Sequence, residues 1–106
     1  SAAAEPPRAL SVAELGRVLR GALDDAFATP VWVEGEVSGA RAVASGHLYF
    51  CLKDAKEDAV VDVAMYRSSV TPRARALVKD GARVRLRGRP AFWVPRGRLQ
   101  FIADRA

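Results

Sequence analysis

Flat aromatic rings and arginine side chains recur together in this chain, at two predicted strands and at one turn. Tyr49 and Tyr66 lie on alternating segments, and Trp93 precedes the turn that carries Arg96 and Arg98. Aromatic rings stack on bases and arginine pairs with phosphates, so these residue types together can hold a single nucleic-acid strand. A strand tyrosine also commonly covers neighbouring apolar surface, so the pattern leaves both interpretations of Tyr49 and Tyr66 open.

Residue types that carry catalysis or bind metals are sparse. The chain has one cysteine, Cys51, and one histidine, His47, which excludes an internal disulfide and a structural zinc site. Glu34 and Glu36 are spaced like paired carboxylates, but salt bridges or hydrogen bonds explain them more simply. The sequence lacks the motifs of serine hydrolases, phosphate-binding loops and zinc proteases. We therefore predict no catalytic residue, no metal and no cofactor in this chain.

Charge is distributed unevenly along the 106 residues. Residues 1–66 carry six basic and ten acidic side chains, whereas residues 67–106 carry eleven and two. A strongly basic half favours a polyanionic partner such as nucleic acid. Most of the basic residues are arginine, which a biased genome composition would also produce. Apolar runs are only a few residues long, so we expect no membrane span, and the lone cysteine favours a cytoplasmic location.

Two helices are predicted from their start and stop signals. Ser11 and Glu14 have the spacing of a capping box, and an apolar stripe that begins with Leu15 recurs at helical spacing after them. We expect this helix to dock on the rest of the domain. Pro72 and Gly81 bracket a second, short helix, because proline favours the start of a helix and glycine its end.

Alternating apolar and polar residues predict five strands. They cover residues 31–42, 47–53, 59–66, 82–94 and 99–103. Gly35 and Gly39 lie within the first strand and indicate bends that let one strand serve two parts of a barrel. The alternation places Asp62, Ala64 and Tyr66 on the outward face of the third strand.

The element order indicates the fold. Five strands with a helix between the third and fourth is the order of the OB-fold, a five-stranded Greek-key barrel. We therefore predict a mainly β domain with an N-terminal helix and a short helix between strands 3 and 4. A small SH3-like barrel is the alternative, but the second helix favours the OB-fold. Residues 10–106 are assigned to this domain, and residues 1–9 to a flexible tail or to residues added for expression.

Six segments resemble a known family in their order and spacing. They are LSVAEL, VWVEGEVS, SGHLYFCLKD, VAMYR, GARVRLRGRP and VPRGRLQF. Over about residues 10–104 the chain resembles the N-terminal domain of the exonuclease VII large subunit. That domain belongs to an OB-fold group that also contains anticodon-binding domains of some aminoacyl-tRNA synthetases.

The resemblance implies a parent hydrolase that degrades single-stranded DNA from its ends to oligonucleotides. In that family the nuclease centre lies in a domain after this one, and a helical region beyond it engages the small subunit. The fragment is therefore expected to bind single-stranded DNA and to position it for the nuclease domain, without cutting it. Its expected partners are the DNA and, in the parent, that nuclease domain; the small subunit is not expected to contact this part.

OB-folds bind single strands on the outer face of strands 2 and 3, between the loops that join strands 1–2 and 4–5. The residues predicted to bind nucleic acid there are Arg41, His47, Tyr49, Lys53, Tyr66, Arg67, Trp93, Arg96 and Arg98. For His47 a purely structural role in capping the loop is the alternative. The fourth strand presents a further outward row: Arg83, Arg85, Arg87 and Arg89. We expect this row to be a solvated face or a contact for another domain; direct contact with DNA is the less favoured alternative.

Two other functions stay open at this point. An anticodon-type RNA binder would prefer a defined RNA loop and would recognise the 2′-hydroxyl groups and base edges. A protein-interaction domain would instead use the basic face of the fourth strand to dock on a partner.

Overall fold

The computed structural model describes residues 6–106, which form a closed five-stranded barrel with one long helix packed outside it. The helices are α1 (Val12–Ala26) and α2 (Pro72–Leu77). The strands are β1 (Val31–Ala42), β2 (Leu48–Lys53), β3 (Val60–Met65), β4 (Arg83–Trp93) and β5 (Arg98–Arg105). Short 3₁₀ turns cover Arg67–Ser69 and Val94–Arg96. The predicted tail falls partly outside the described residues and stays a prediction.

The strand order around the barrel is β1-β2-β3-β5-β4, and β4 closes the barrel by pairing with β1. All neighbouring pairs are antiparallel except β3 and β5, which are parallel. The second helix lies between β3 and β4, as predicted. The predicted mainly β OB-fold, with its N-terminal helix, is therefore confirmed.

A bend in β1 lets this one strand pair with two others. Its first half, from Val31 to Glu36, pairs with β4, and its second half pairs with β2. The register with β2 shifts between Ser38 and Arg41, where Gly39 adopts a φ of 65°, a conformation that favours glycine. The bend predicted at Gly39 is confirmed, and it directs the following residues toward the loop before β2. Gly35, in contrast, pairs with Val84 in regular register, so the bend predicted there is not observed.

The core follows the predicted alternation. The largest fully buried side chains are those of Val37, Val63, Met65 and Leu86. One expectation is corrected: Ala64 has outward parity in β3 but is fully buried. Its register partners are Tyr49 on β2 and Ile102 on β5, and these larger neighbours flank its methyl group. Strand β5 is longer than predicted, because its pairing with β4 continues to Arg105 beyond a bulge.

Helix α1 begins as predicted and docks on the rest of the domain. Ser11 and Glu14 form the full capping box, with both reciprocal hydrogen bonds at 3.0 Å. The helix packs against β4 and the Val94–Arg96 turn, and Gly16 is its buried residue. Much of the apolar stripe remains exposed, including Val18, which is 58% exposed. Leu23 of the stripe is partly buried. The helix therefore docks through a small residue that allows close approach, together with part of its apolar stripe.

Candidate nucleic-acid interface

A groove runs over the outer face of β2 and β3, bordered by the β1–β2 loop and the β4–β5 turn. The groove contains a cavity of about 290 Å³ lined by Arg41, Tyr49, Tyr66, Trp93, Arg96, Arg98 and Gln100. Six of these seven residues belong to the set predicted from the sequence. They come from separate elements, so closure of the barrel is what brings them together.

His47 packs edge-on against both tyrosine rings at this groove. The ring centroids of His47 and Tyr66 are 5.4 Å apart at an interplanar angle of 82°, and those of His47 and Tyr49 are 6.4 Å apart at 76°. The Nδ1 atom of His47 also accepts a hydrogen bond of 2.8 Å from the backbone N–H of Arg67. His47 thus ties the loop before β2 to the segment after β3 and fixes the positions of both tyrosines.

Arg41 lies at the rim of the groove, above Tyr49. Its guanidinium carbon is 5.6 Å from the centroid of the Tyr49 ring, within the range of a cation–π interaction. The same two residues are partners in the β1–β2 ladder, just after the register shift. The bend at Gly39 therefore determines where this arginine meets the aromatic floor.

The β4–β5 turn supplies the opposite border. Trp93 ends β4 and is 60% exposed, and the 3₁₀ turn after it carries Arg96. Gly97 closes the turn with a φ of 57°. Trp93 pairs across the ladder with Arg98, so the turn holds an indole ring and two guanidinium groups near the mouth of the groove.

Asp62 and Gln100 are groove residues that the sequence analysis did not select. Asp62 lies on β3, where it accepts hydrogen bonds from Arg98 at 3.1 Å and from the Cys51 thiol at 3.3 Å. The hydrogen bond to Asp62, together with partial burial and the nearby negative charge, raises the pKa of the Cys51 thiol. Outward parity was the available signal for Asp62, whereas Gln100 enters the groove through the pairing of β5 with β4.

Two predicted residues are placed differently from the others. Lys53 is at the far end of β2, about 13 Å along the strand from Tyr49, and borders a separate cavity with Asp54 and Val60. Arg67 lies next to the groove, where its aliphatic carbons pack so closely on Gly46 that a Cβ there would be 3.0 Å from them. Arg67 therefore lies beside the β1–β2 loop that borders the groove, whereas Lys53 lies next to neither border of the groove.

The arginine row of β4 lies on another face, where two of its four members form ion pairs with acidic residues. Arg85 is 3.7 Å from Glu34, and Arg87 is 2.8 Å from Asp104. Arg83 is the register partner of Glu36. The salt-bridge interpretation of Glu34 is thus confirmed. This face also holds the larger cavity, about 540 Å³, lined by Trp32, Val33, Glu34 and Arg85.

Comparison with known proteins assigns the fold to a family. Residues 10–106 match the family described as OB-fold nucleic acid binding domain. The chain belongs to this family. The predicted resemblance to the exonuclease VII large subunit is also confirmed by identities of 42–45% to proteins of that name.

Two relatives illustrate the match. The exodeoxyribonuclease 7 large subunit of Azotobacter vinelandii is 45% identical over 90% of this chain and 20% of its own length. That of Geotalea uraniireducens is 44% identical over 92% of this chain and 21% of its own length. The chain thus spans about a fifth of the length of these relatives.

Metal sites and membrane spans each place their own requirements on the described residues. Within residues 6–106, no group of three or more His, Cys, Asp and Glu side chains is placed to hold a metal ion. No helix in the described part of the chain is long and apolar enough to cross a membrane.

Proposed function

We propose that this domain binds single-stranded DNA in the groove over β2 and β3. The observation that carries the proposal is the meeting of Tyr49, Tyr66 and Trp93 with arginines in one cavity. Bases stack on aromatic rings irrespective of sequence, while guanidinium groups follow the phosphates. Tyr66 is 43% exposed and Trp93 is 60% exposed, so neither ring is buried in the core and both can contact a ligand.

The groove contains arginines that are free to meet phosphates. Among residues 6–106, neither Arg41 nor Arg96 forms an ion pair with a carboxylate, whereas Arg98 pairs with Asp62. On the face of β4 two of the four arginines, Arg83 and Arg89, are likewise unpaired within the described residues, so the aromatic rings and not the charges favour the groove. Arginines without a carboxylate partner are available to phosphates at lower cost, because no existing pair must be broken.

In a larger protein, the domain would position DNA for a nuclease. The relatives carry the name of an exodeoxyribonuclease large subunit and are about five times as long as this chain. We propose that cleavage to oligonucleotides belongs to a domain outside this fragment, and that the fragment itself does not cut. Contact with the small subunit would then lie outside this domain, and the whole enzyme would act in the cytoplasm. Stacking and phosphate pairing need no cofactor.

A matched pair of tryptophan variants tests the proposal. Fluorescence anisotropy of a labelled oligo-dT should show salt-sensitive binding to the wild-type domain, with weaker binding to duplex DNA. Trp93→Ala should lose about fivefold to a hundredfold in affinity, as expected when one base loses its stacking partner. Trp32 is the control: it is 54% exposed and lies on β1 opposite Arg87 of β4, outside the groove. Trp32→Ala should bind like the wild type. Absence of oligo-dT binding at low salt would contradict the proposal.

An RNA-binding function is the second candidate, because the matched family is described by nucleic acid binding in general. Parallel titrations with DNA and RNA strands of the same sequence separate the two. Tighter binding of the DNA, or equal binding, agrees with the proposal. A clear preference for RNA would indicate recognition of the 2′-hydroxyl and favour the anticodon-type function.

A further inference from the structure

A carboxylate stands on the floor of a groove that is otherwise basic. Asp62 is central in β3 and opposite Cys51 in the β2–β3 ladder, and its side chain is 41% exposed. A negative charge there repels the phosphates that the surrounding arginines attract. A ligand group that donates hydrogen bonds would therefore fit beside Asp62 better than a phosphate, and bases carry such groups.

Two donors fix the orientation of this carboxylate. Arg98 donates to Oδ2 at 3.1 Å, and the thiol of Cys51 donates to Oδ1 at 3.3 Å. An ionised carboxylate has about four lone-pair positions, so these two bonds leave acceptor capacity on both oxygens. The carboxylate is thus held in place and still able to accept from a ligand.

A small compartment joins Asp62 to the aromatic floor. It has a volume of about 120 Å³ and is bordered by Asp62, Tyr49, Arg41 and Arg98. Tyr49, Arg41 and Arg98 also line the main cavity of the groove, so the two spaces lie on either side of these shared side chains. A base stacked on Tyr49 can therefore turn its edge toward Asp62.

We propose that Asp62 selects for a base with an exocyclic amino group at this position, which gives the groove a preference for cytosine over thymine. The amino group of cytosine donates to a carboxylate. The imide N–H of thymine lies between two carbonyl oxygens, which repel the carboxylate. This inference rests on the proposed function and deepens it, because it names the base class that the groove accepts.

The test compares affinities for oligo-dC and oligo-dT of equal length, at mildly alkaline pH where cytosine is uncharged. The wild-type domain should bind oligo-dC about fivefold more tightly, the value of one net hydrogen bond. Asp62→Asn should bring the two affinities within about twofold, because an amide accepts from cytosine and donates to thymine equally. Asp104→Asn removes a matched Asp–Arg pair outside the groove and should keep the wild-type ratio.

A chemical probe keeps the test independent of whether the variant folds. Oligonucleotides that contain pyrimidin-2-one, which is cytosine without its amino group, should bind the wild-type domain about as weakly as oligo-dT. Two results would overturn the role of Asp62 and leave the proposed function intact. They are equal binding of oligo-dC and oligo-dT by the wild type, and an unchanged ratio in folded Asp62→Asn. Loss of binding to every oligonucleotide would instead contradict the proposed function.

Discussion

At the residue scale, His47 links the two tyrosines to the backbone. Its Nδ1 atom accepts from the N–H of Arg67, so the proton of the neutral ring is on Nε2. The His47 ring packs in T-shaped geometry near both Tyr49 and Tyr66. The histidine therefore orders the aromatic floor even if it contacts no DNA itself.

We expect His47→Ala to weaken oligo-dT binding by about threefold to tenfold, because both tyrosines lose a packing partner worth roughly 0.5–1.5 kcal/mol. His47→Asn supplies an oxygen that can accept from the Arg67 N–H but has no ring, so it should recover part of the loss. Anisotropy titrations measure both. Wild-type affinity in His47→Ala would show that the tyrosines are held by other contacts.

Cys51 should be a slow nucleophile. Its hydrogen bond to Asp62 raises the pKa of the thiol, which lowers the fraction of reactive thiolate at neutral pH. We expect iodoacetamide to modify Cys51 more slowly than a cysteine in an unfolded peptide, and Asp62→Asn to increase the rate. Mass spectrometry of timed samples measures both rates. A slower reaction in folded Asp62→Asn would contradict the contact with Asp62.

At the element scale, sequence periodicity predicted which face of a strand is buried better than it predicted which residues contact each other between elements. The inward residues of β2 and β4 are buried as their alternation requires, because period 2 follows directly from strand geometry. Ala64 was misjudged, since its burial depends on the size of cross-strand neighbours. The docking of α1 on the domain was predicted correctly, but the apolar stripe did not indicate that Gly16 would be its buried residue.

Two glycines of α1 provide a matched test of its docking. A Cβ on Gly16 would lie 2.8 Å from a methyl carbon of Val94, whereas a Cβ on Gly21 meets no atom within 4 Å. We expect Gly21→Ala to raise the free energy of unfolding by about 0.5–1 kcal/mol through helix propensity. Gly16→Ala should lower it, because overpacking against Val94 outweighs the same gain. Urea unfolding measures both, and equal stabilisation would contradict the close approach.

The turn between β2 and β3 should make stability depend on pH. The N–H groups of Lys56 and Glu57 donate to Asp54, which lowers the pKa of its carboxyl below the ordinary 3.8. A lowered folded-state pKa means that this stabilisation is present above the ordinary value and is lost as the pH falls through the folded-state value. Asp54→Ala should therefore be less stable than the wild type at neutral pH, with the difference shrinking in acid.

Thermal melts over a pH series measure this difference. Asp54→Asn is the control, since its amide oxygen can accept the same bonds but does not titrate in this range. Its stability should lack the part of the acid dependence that Asp54 contributes. A difference between wild type and Asp54→Ala that stays constant into acid would contradict the assignment.

At the scale of the whole molecule, the acidic and basic halves of the sequence do not form separate faces. Glu34 and Glu36 of the acidic half are register partners of Arg85 and Arg83 of the basic half. Linear charge counts therefore predicted a polyanionic partner without locating its site. Register and barrel closure determine which arginines lie beside carboxylates, and neither is visible as a local sequence pattern.

The residues of the candidate site also fall into two groups, those that a local sequence pattern predicts and those that only the strand pairing brings in. Tyr49, Tyr66 and Arg96 could be selected from strand parity and a turn motif, because both are local. Outward parity was a local signal for Asp62 as well, although its residue type did not suggest phosphate binding. Gln100 enters the groove only through the pairing of β5 with β4, which the local pattern does not show. Lys53 had the right parity but lies too far along β2 to border the cavity.

The salt dependence of oligo-dT binding tests the location of the site most directly. Two double variants remove the same charge from different places. Arg41→Ala/Arg96→Ala removes it from the groove, and Arg83→Ala/Arg85→Ala removes it from the face of β4. Each phosphate contact by a basic residue contributes about 0.7 to the slope of log affinity against log salt for a single strand. We predict that the groove pair lowers both the affinity and this slope, by about 0.7 per arginine, while the β4 pair stays near the wild type. Loss of affinity and slope in the β4 pair alone would place the DNA on the other face and contradict the account.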